Sequence, residues 1–400
     1  MHERKLYLDK ISPFIDKPLI KVISGLRRCG KSTFIKMVME RLAEKKVPPR
    51  NIVHINMELM EFEFITDHRE LYRFVKGRLP AAGGPKYLFI DEVQEIPGWE
   101  KAVGSLLAEK VADIYITGSN SRLLSSEFAT LLTGRYVQIP MFPLGFKEFL
   151  QFRGRQVGEA DEQEFSLYLK YGGLPGIHDL TFADEVIFQY IDAIYSTIML
   201  KDIVARYRVR GVFLLEKISA FVFDNCGSIT SAKKIADYLK SQRLKCGVET
   251  VQNYIGYLRD AHLVHKARRY DLKGKRHLEL YEKYYPGDIG IRHGVLGYRQ
   301  QDIAGLLESV VHQELLRRGY TVAVGKLDDL EVDFVAEKNG RPSYIQVAYL
   351  LATGETEERE FRPLAKIPDN YPKMVLSLDK VWGEERDGII RKNLIDFLLE

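Results

Sequence analysis

Gly25-Leu26-Arg27-Arg28-Cys29-Gly30-Lys31-Ser32 sets two glycines ahead of a lysine and a hydroxyl, in the spacing of a phosphate-binding loop. Gly25 and Gly30 let the backbone turn its N–H groups onto phosphate oxygens. Lys31 carries positive charge to the β and γ phosphates, and Ser32 offers a hydroxyl to magnesium; Arg28, Cys29 and Thr33 complete the loop and the first turn beyond it. Cys29 lies beside Arg28 and Lys31 at a helix N-terminus, a setting that favours a thiolate, so one expectation is a reactive thiol shielded by nucleotide. The competing one is a small residue filling a slot.

A second pair able to do chemistry is Asp91-Glu92, which ends the apolar run Tyr87-Leu88-Phe89-Ile90. At the carboxyl end of a buried strand Asp91 would hold magnesium, while Glu92 would orient and deprotonate an attacking water. Two further positions are candidates. Ser119 or Asn120, after Gly118, is expected to meet the γ-phosphate or hold water, unless the stretch only caps a helix starting near Ser121. Arg135, after Thr133-Gly134, is expected to act as an arginine finger toward a neighbouring subunit, which would make the chain an oligomer; the competing reading is an ordinary surface arginine.

Such groups need a scaffold. Leu19–Ser24 reads as an apolar strand, and Thr33–Ala43 has helical spacing of Phe34, Met37, Val38 and Leu42. More strands are expected at Asn51–Asn56, Asp113–Thr117 and Tyr136–Ile139. This is an α/β pattern. The 400 residues suffice for several domains, and 46% hydrophobic with 28% charged residues is ordinary for a globular chain. No apolar run is long enough to span a bilayer and Met1–Lys5 lacks an apolar signal core, so a cytoplasmic protein without membrane contact is expected. Cys29, Cys226 and Cys246 are too scattered for a disulfide scaffold or a zinc site. The net charge of +4 is mild, but positive residues gather between Lys233 and Arg276.

The order of parts resembles the AAA-type ATPases, in particular a bacterial and archaeal family with a Gly-x-Arg-Arg-x-Gly-Lys-Ser/Thr loop and a C-terminal domain of unclear function. Arg27-Arg28, Asp91-Glu92-Val93-Gln94, Thr117-Gly118-Ser119-Asn120, Gly134-Arg135, Pro143-Leu144 and Phe146-Lys147-Glu148-Phe149 carry the resemblance. It implies a five-stranded parallel sheet and an adenine nucleotide, hence ATP and Mg2+ as cofactors. Tyr171-Gly172-Gly173-Leu174-Pro175-Gly176 looks like the glycine-x-proline element of the related signal-transduction ATPases, which would put Pro175 near adenine; a helix-ending turn is the other reading.

Downstream, helices are expected at Phe213–Asp224, Ile229–Leu239 with Thr230 or Ser231 as cap, and Val248–Ala261. A strand at Leu263–Ala267, a turn at Lys273-Gly274-Lys275 and a strand at His277–Tyr281 follow, so the unit resembles a winged helix. Glu249, Thr250, Gln252, Asn253 and Tyr254 on the third helix are then candidates to reach DNA bases, and Lys273, Lys275 and Arg276 to meet phosphates. Winged helices also dock proteins. The last stretch, a helix at Ile303–Arg318 and strands at Tyr320–Val324, Glu331–Ala336 and Tyr344–Leu350, resembles a restriction-endonuclease-like core. Asp333 matches its first acidic position and Glu314 could add a helix carboxylate, but Gln346-Val347-Ala348 replaces the Glu-x-Lys element, so nuclease chemistry is expected to be lost or reduced.

The expected architecture is a phosphate-loop ATPase core at 1–145, a helical lid at 146–205, a winged-helix domain at 206–292 and a restriction-endonuclease-like domain at 293–400. The expected function is an ATP-hydrolysing AAA-type protein that couples nucleotide state to DNA binding or remodelling. The alternatives are a nucleotide-dependent switch that docks a protein partner on the winged helix or C-terminal domain, and an active ATP-driven nuclease.

Overall fold

The computed structural model describes residues 2–80, 83–120, 134–158, 161–278, 281–351, 353–380 and 385–400. The helix expected from Ser121, Thr133, and Glu279-Leu280 of the expected wing strand lie outside the described residues. The chain divides into two compact units, Met1–Met141 with Asp260–His262, and Phe142–Arg259 with Leu263–Glu400.

In the first unit, β1 (Ile20–Gly25), β2 (Ile52–Asn56), β3 (Tyr87–Asp91), β4 (Asp113–Gly118) and β5 (Tyr136–Met141) form one sheet in the order β2-β3-β4-β1-β5. Every pairing in it is parallel. Each residue of β1 and β3 is buried, as expected where a parallel sheet is covered on both faces. Ile20, Val22, Leu88 and Ile90 pack with Leu71 and Val75 of the helix His68–Arg78 and with Trp99, Val103 and Leu106 of the helix Trp99–Ala108. Asp67 caps the former, its Oδ1 accepting the Arg69 and Glu70 N–H groups at 2.7 and 3.0 Å. The helix Lys31–Glu44 buries Phe34, Ile35, Met37, Val38 and Leu42, each side chain of that size contributing about 1.5–3 kcal/mol of burial. β3, β4 and β1 are consecutive and parallel, so Asp91, Gly118 and Gly25 emerge side by side at one edge.

The second unit begins with the helices Phe146–Phe152, Asp161–Tyr171 and Asp184–Thr197, the last continuing as a π-helical stretch through Ala205. The helices Val212–Asp224, Ala232–Ser241 and Val248–Asp260 follow. Of the two candidate caps, Ser231 is the one used: its Oγ accepts the Lys234 N–H at 3.2 Å. Then come β6 (Val264–Asp271), β7 (Arg276–His277), β8 (Lys283–Pro286), the helices Ile289–Leu296 and Ile303–Arg317, β9 (Thr321–Leu327), β10 (Leu330–Lys338), β11 (Arg341–Val347), the helix Gly354–Ala365, β12 (Lys373–Ser377), β13 (Glu385–Arg386), β14 (Ile389–Asn393) and the helix Leu394–Leu399.

One sheet runs β13-β14-β12-β11-β10-β9-β6-β7, with β8 paired to β6. β6 is shared: Val264–Ala267 pair antiparallel with β8, and Arg268–Asp271 pair parallel with β9. A single sheet therefore joins strands from both sides of residue 292. Its C-terminal part packs Val332, Val335, Tyr344 and Val375 against Phe361 and Leu364 of the helix Gly354–Ala365.

Candidate functional site

β1 brings Gly25 to the carboxyl edge of the first sheet, and the chain turns through Leu26–Gly30 into the helix that opens at Lys31. An added Cβ at Gly25 would collide with the Met141 carbonyl oxygen and lie 3.1 Å from Cys29 Sγ, so the loop tolerates only glycine there. Gly30 caps the helix at φ 104°, a conformation open to glycine without a steric penalty. Below the loop Arg4, 2% exposed, donates from Nη1 to the Cys29 carbonyl at 2.9 Å. Lys31 is buried and curls back over the turn, its Nζ donating to the carbonyls of Gly25 and Leu26 at 3.1 and 3.2 Å and standing 4.0 Å from Glu92 Oε1. Ser32 is half-buried beside it, and Arg28 and Thr33 are exposed.

One hydroxyl organises the acidic pair. Thr117 on β4 donates its hydroxyl hydrogen to Asp91 Oδ1 on β3, and Thr117 Oγ1 accepts the Glu92 N–H at 3.1 Å. Glu92 sits at φ 53°, ψ 50°, a left-handed conformation that costs a side-chain-bearing residue about 1–3 kcal/mol and tends to mark functional positions. Its Oε2 accepts from Gln94 Nε2. Ser119 and Asn120 are buried at the carboxyl end of β4. Arg135 is exposed, its backbone fixed by the Ile20 N–H, which donates to the Arg135 carbonyl at 2.9 Å.

A magnesium nucleotide fits these groups. Among the described residues Lys31 meets two neutral carbonyls and one carboxylate at long range, and an anionic oxygen would make a stronger, charge-assisted bond. Ser32 and Asp91 supply the oxygen donors that magnesium prefers. The thiolate expected at Cys29 requires correction. The thiol is fully buried, and burial pushes its pKa up by more than Lys31 and Arg4 lower it, while Sγ faces the Met141 carbonyl at 3.5 Å. Cys29 fills a slot. Sequence reasoning missed the bracing by Arg4, for which the sequence carries no signal, and the roles of Thr117 and Gln94, both inside motifs it had singled out.

In the second unit the helix Val248–Asp260 buries Val251, Ile255 and Leu258, leaves Glu249, Gln252 and Asn253 exposed, and keeps Thr250 and Tyr254 half-buried. After β6, Asp271 Oδ1 accepts the Lys273 and Gly274 N–H groups at 3.1 and 3.2 Å, forming a tight turn. Lys275 and Arg276 are exposed at this turn, whereas Lys273 is paired with Asp328 at 2.7 Å. Pro175 starts the 3-10 turn Pro175–Asp179. The Gly173 N–H just before it donates to Asp288 Oδ2 at 2.8 Å, and its carbonyl accepts the Leu144 N–H at 2.7 Å.

Asp333 and Gln346 do come together: the Asp333 N–H donates to Gln346 Oε1 at 2.8 Å, and Asp333 Oδ2 accepts the Val347 N–H at 2.9 Å. Glu314 does not join them and requires a second correction, because Arg317 and Arg318 engage its carboxylate. The carboxylate that the helix Ile303–Arg317 turns toward this cluster is Glu308. Among the described residues no group of three His, Cys, Asp or Glu is arranged to hold a metal ion.

The β2-β3-β4-β1-β5 sheet, the loop closing on Lys31 and the carboxylate pair at the end of β3 define a phosphate-loop ATPase fold. Residues 17–150 match the family model of an AAA domain, and residues 162–302 match a domain of unknown function (DUF8612). The chain belongs to the AAA-type phosphate-loop ATPases, in a family with still uncharacterized members. One, from Haemophilus influenzae, is 37% identical over 100% of this chain and 99% of its own length. Another, uncharacterized protein MJ1544 of Methanocaldococcus jannaschii, is 32% identical over 87% of this chain and 78% of its own. The fold is also similar to that of the Walker-type ATPase Paby2304 of Pyrococcus abyssi, with a TM-score of 0.52, 13% identity, and coverage of 74% of this chain and 95% of that one.

Proposed function

We propose that this chain binds ATP with magnesium, hydrolyses it, and uses the nucleotide state to change how its second unit holds DNA. The observation that carries the ATPase part is the joint arrangement of Lys31, turned inward by the loop, with Asp91 and Glu92, both fixed by Thr117. Lys31 and the loop N–H groups hold the phosphates, and Ser32 and Asp91 hold magnesium, which neutralises charge on the phosphates when bound. Glu92 accepts the proton of the attacking water at its carboxylate once released from Gln94. Ser119 or Asn120 senses the γ-phosphate, and Arg135 reaches the site of a neighbouring subunit. Lys31→Ala removes nucleotide binding, and Glu92→Gln keeps binding while abolishing turnover. Retained hydrolysis in purified Glu92→Gln would contradict the assignment.

The DNA part is supported by the three-helix arrangement followed by a turn, which presents Gln252 and Asn253 on one helix and Lys275 and Arg276 at the turn. We place the protein in the cytoplasm; no helix of the described residues is long and apolar enough to cross a membrane. Replacing Lys275 and Arg276 with Ala weakens duplex binding and lowers the salt dependence of log affinity by up to about two counterions. Unchanged affinity and slope would transfer the surface to a protein partner. The C-terminal carboxylates are read as non-catalytic, so no magnesium-dependent DNA cutting is expected.

A further inference from the structure

Lys283, at the start of β8, is 2% exposed, yet it is surrounded by acidic side chains. Its Nζ lies 3.0 Å from Glu308 Oε2, 2.8 Å from Glu331 Oε1 and 3.5 Å from Asp333 Oδ1. An ammonium has three N–H donors, and here three carboxylates from two elements are placed to receive them. The acids are pinned from behind. Asp333 accepts the Val347 N–H through its other oxygen, and Glu308 Oε2 also accepts from the Tyr285 hydroxyl at 3.1 Å. Gln346 donates to Glu360 Oε2 at 3.1 Å, holding a fourth carboxylate whose outer oxygen is taken by Arg359. In sequence the lysine that should follow Gln346 is missing, with Ala348 in its place. In space a lysine from a different strand stands against Asp333.

We propose that Lys283 is a built-in cation: its ammonium occupies the centre of the Glu308–Glu331–Asp333 cluster in place of a divalent metal ion and keeps such ions out. This inference concerns the C-terminal cluster and does not depend on the ATPase assignment. Two consequences follow. The cluster is a metal-free joint that ties β8, on the winged-helix side of residue 292, to β10 and to the helix Ile303–Arg317. Removing the ammonium leaves three carboxylates facing one another with no positive charge among them, a state relieved only by taking up protons or a hard cation with oxygen preference. Lysine, tethered to its strand, cannot dissociate as an ion does, so the joint persists whatever the metal supply.

The test is divalent-ion binding by the full chain without nucleotide, in an Asp91→Asn background that removes the metal contact of the ATPase site. Titrated with MnCl2 at neutral pH and followed by calorimetry and thermal unfolding, the protein carrying Lys283 and its Lys283→Arg version are expected to show no ion uptake and no shift in melting temperature. Lys283→Ala is expected to gain a saturable site, with a manganese-dependent rise in melting temperature that Asp333→Asn cancels. Lys283→Met, which keeps the length of the stem, serves if the alanine variant does not fold unaided; manganese-dependent recovery of folding would then support the proposal, and no recovery of either variant would overturn it. Asp333-dependent manganese binding by the protein that keeps Lys283, or a folded Lys283→Ala that takes up none, would also overturn it.

Discussion

At the scale of single residues, the candidate ATPase site depends on groups that hold other groups. Thr117 fixes Asp91 through its hydroxyl hydrogen and the Glu92 backbone through its oxygen. Thr117→Val keeps the shape of the side chain and removes both bonds, so turnover should fall by about 10–100-fold with nucleotide affinity nearly unchanged. Equal turnover in the two proteins would show that Asp91 and Glu92 hold their places unaided. Glu308 offers a test by pH. Burial, followed by repulsion from Asp333, pushes its pKa up from the ordinary carboxylate value. The folded chain therefore holds this proton more tightly than the unfolded chain, so the group's contribution to stability is full below the ordinary carboxylate pKa and is lost as pH rises through the raised folded value. Glu308→Gln should therefore flatten the loss of urea stability between pH 5 and pH 8, and superimposable profiles would contradict the shift. The sequence made Lys31, Ser32, Asp91 and Glu92 legible because their spacing is local. It hid Lys283 and Glu308, because their partners on β10 lie far along the chain and no short motif links them; Glu314, on the same helix, was the wrong carboxylate to choose.

Among the elements, those with one strong period were readable. β1, β3 and β4 are short apolar runs, and the helix Lys31–Glu44 shows its buried face in Phe34, Met37, Val38 and Leu42. The ends of the helices were less legible: the one expected at Thr33–Ala43 runs Lys31–Glu44, and the one expected at Ile229–Leu239 runs Ala232–Ser241, although Ser231, one of its two expected caps, does cap it. What could not be read was β6, whose two halves pair with different strands; that outcome depends on which edges meet in three dimensions. At the other end of the first sheet, β1 and β4 are pinned by a buried pair between Lys21 and Asp113, and the Lys21 ammonium lies 5.1 Å from the centre of the Tyr115 ring. Asp113→Ala leaves the buried Lys21 ammonium the Lys17 carbonyl and the Tyr115 ring but takes away its paired carboxylate, at a cost of about 3–5 kcal/mol. Urea unfolding would register this as a lower midpoint with an unchanged slope, and a loss below about 1 kcal/mol would mean that Lys17 and Tyr115 suffice as partners.

For the molecule as a whole, the second sheet is the feature with most consequence, because strands from the three-helix module and from the C-terminal module share it through β6 and β9. Amide exchange in β6 and in β9–β11 should therefore slow and open together, at one common free energy. Two separate opening energies would show that the modules unfold independently. The AAA-type family and the phosphate-loop fold are established by the match at residues 17–150 and by the parallel sheet, and the central proposal is hydrolysis coupled to DNA. The deciding measurement is steady-state ATP hydrolysis with and without duplex, branched and single-stranded DNA, alongside Glu92→Gln. We predict magnesium-dependent turnover that rises with one of these DNAs and disappears in the variant. Hydrolysis that is intact but indifferent to every DNA would contradict the coupling and point to a protein-docking switch, and turnover surviving in Glu92→Gln would contradict the site itself.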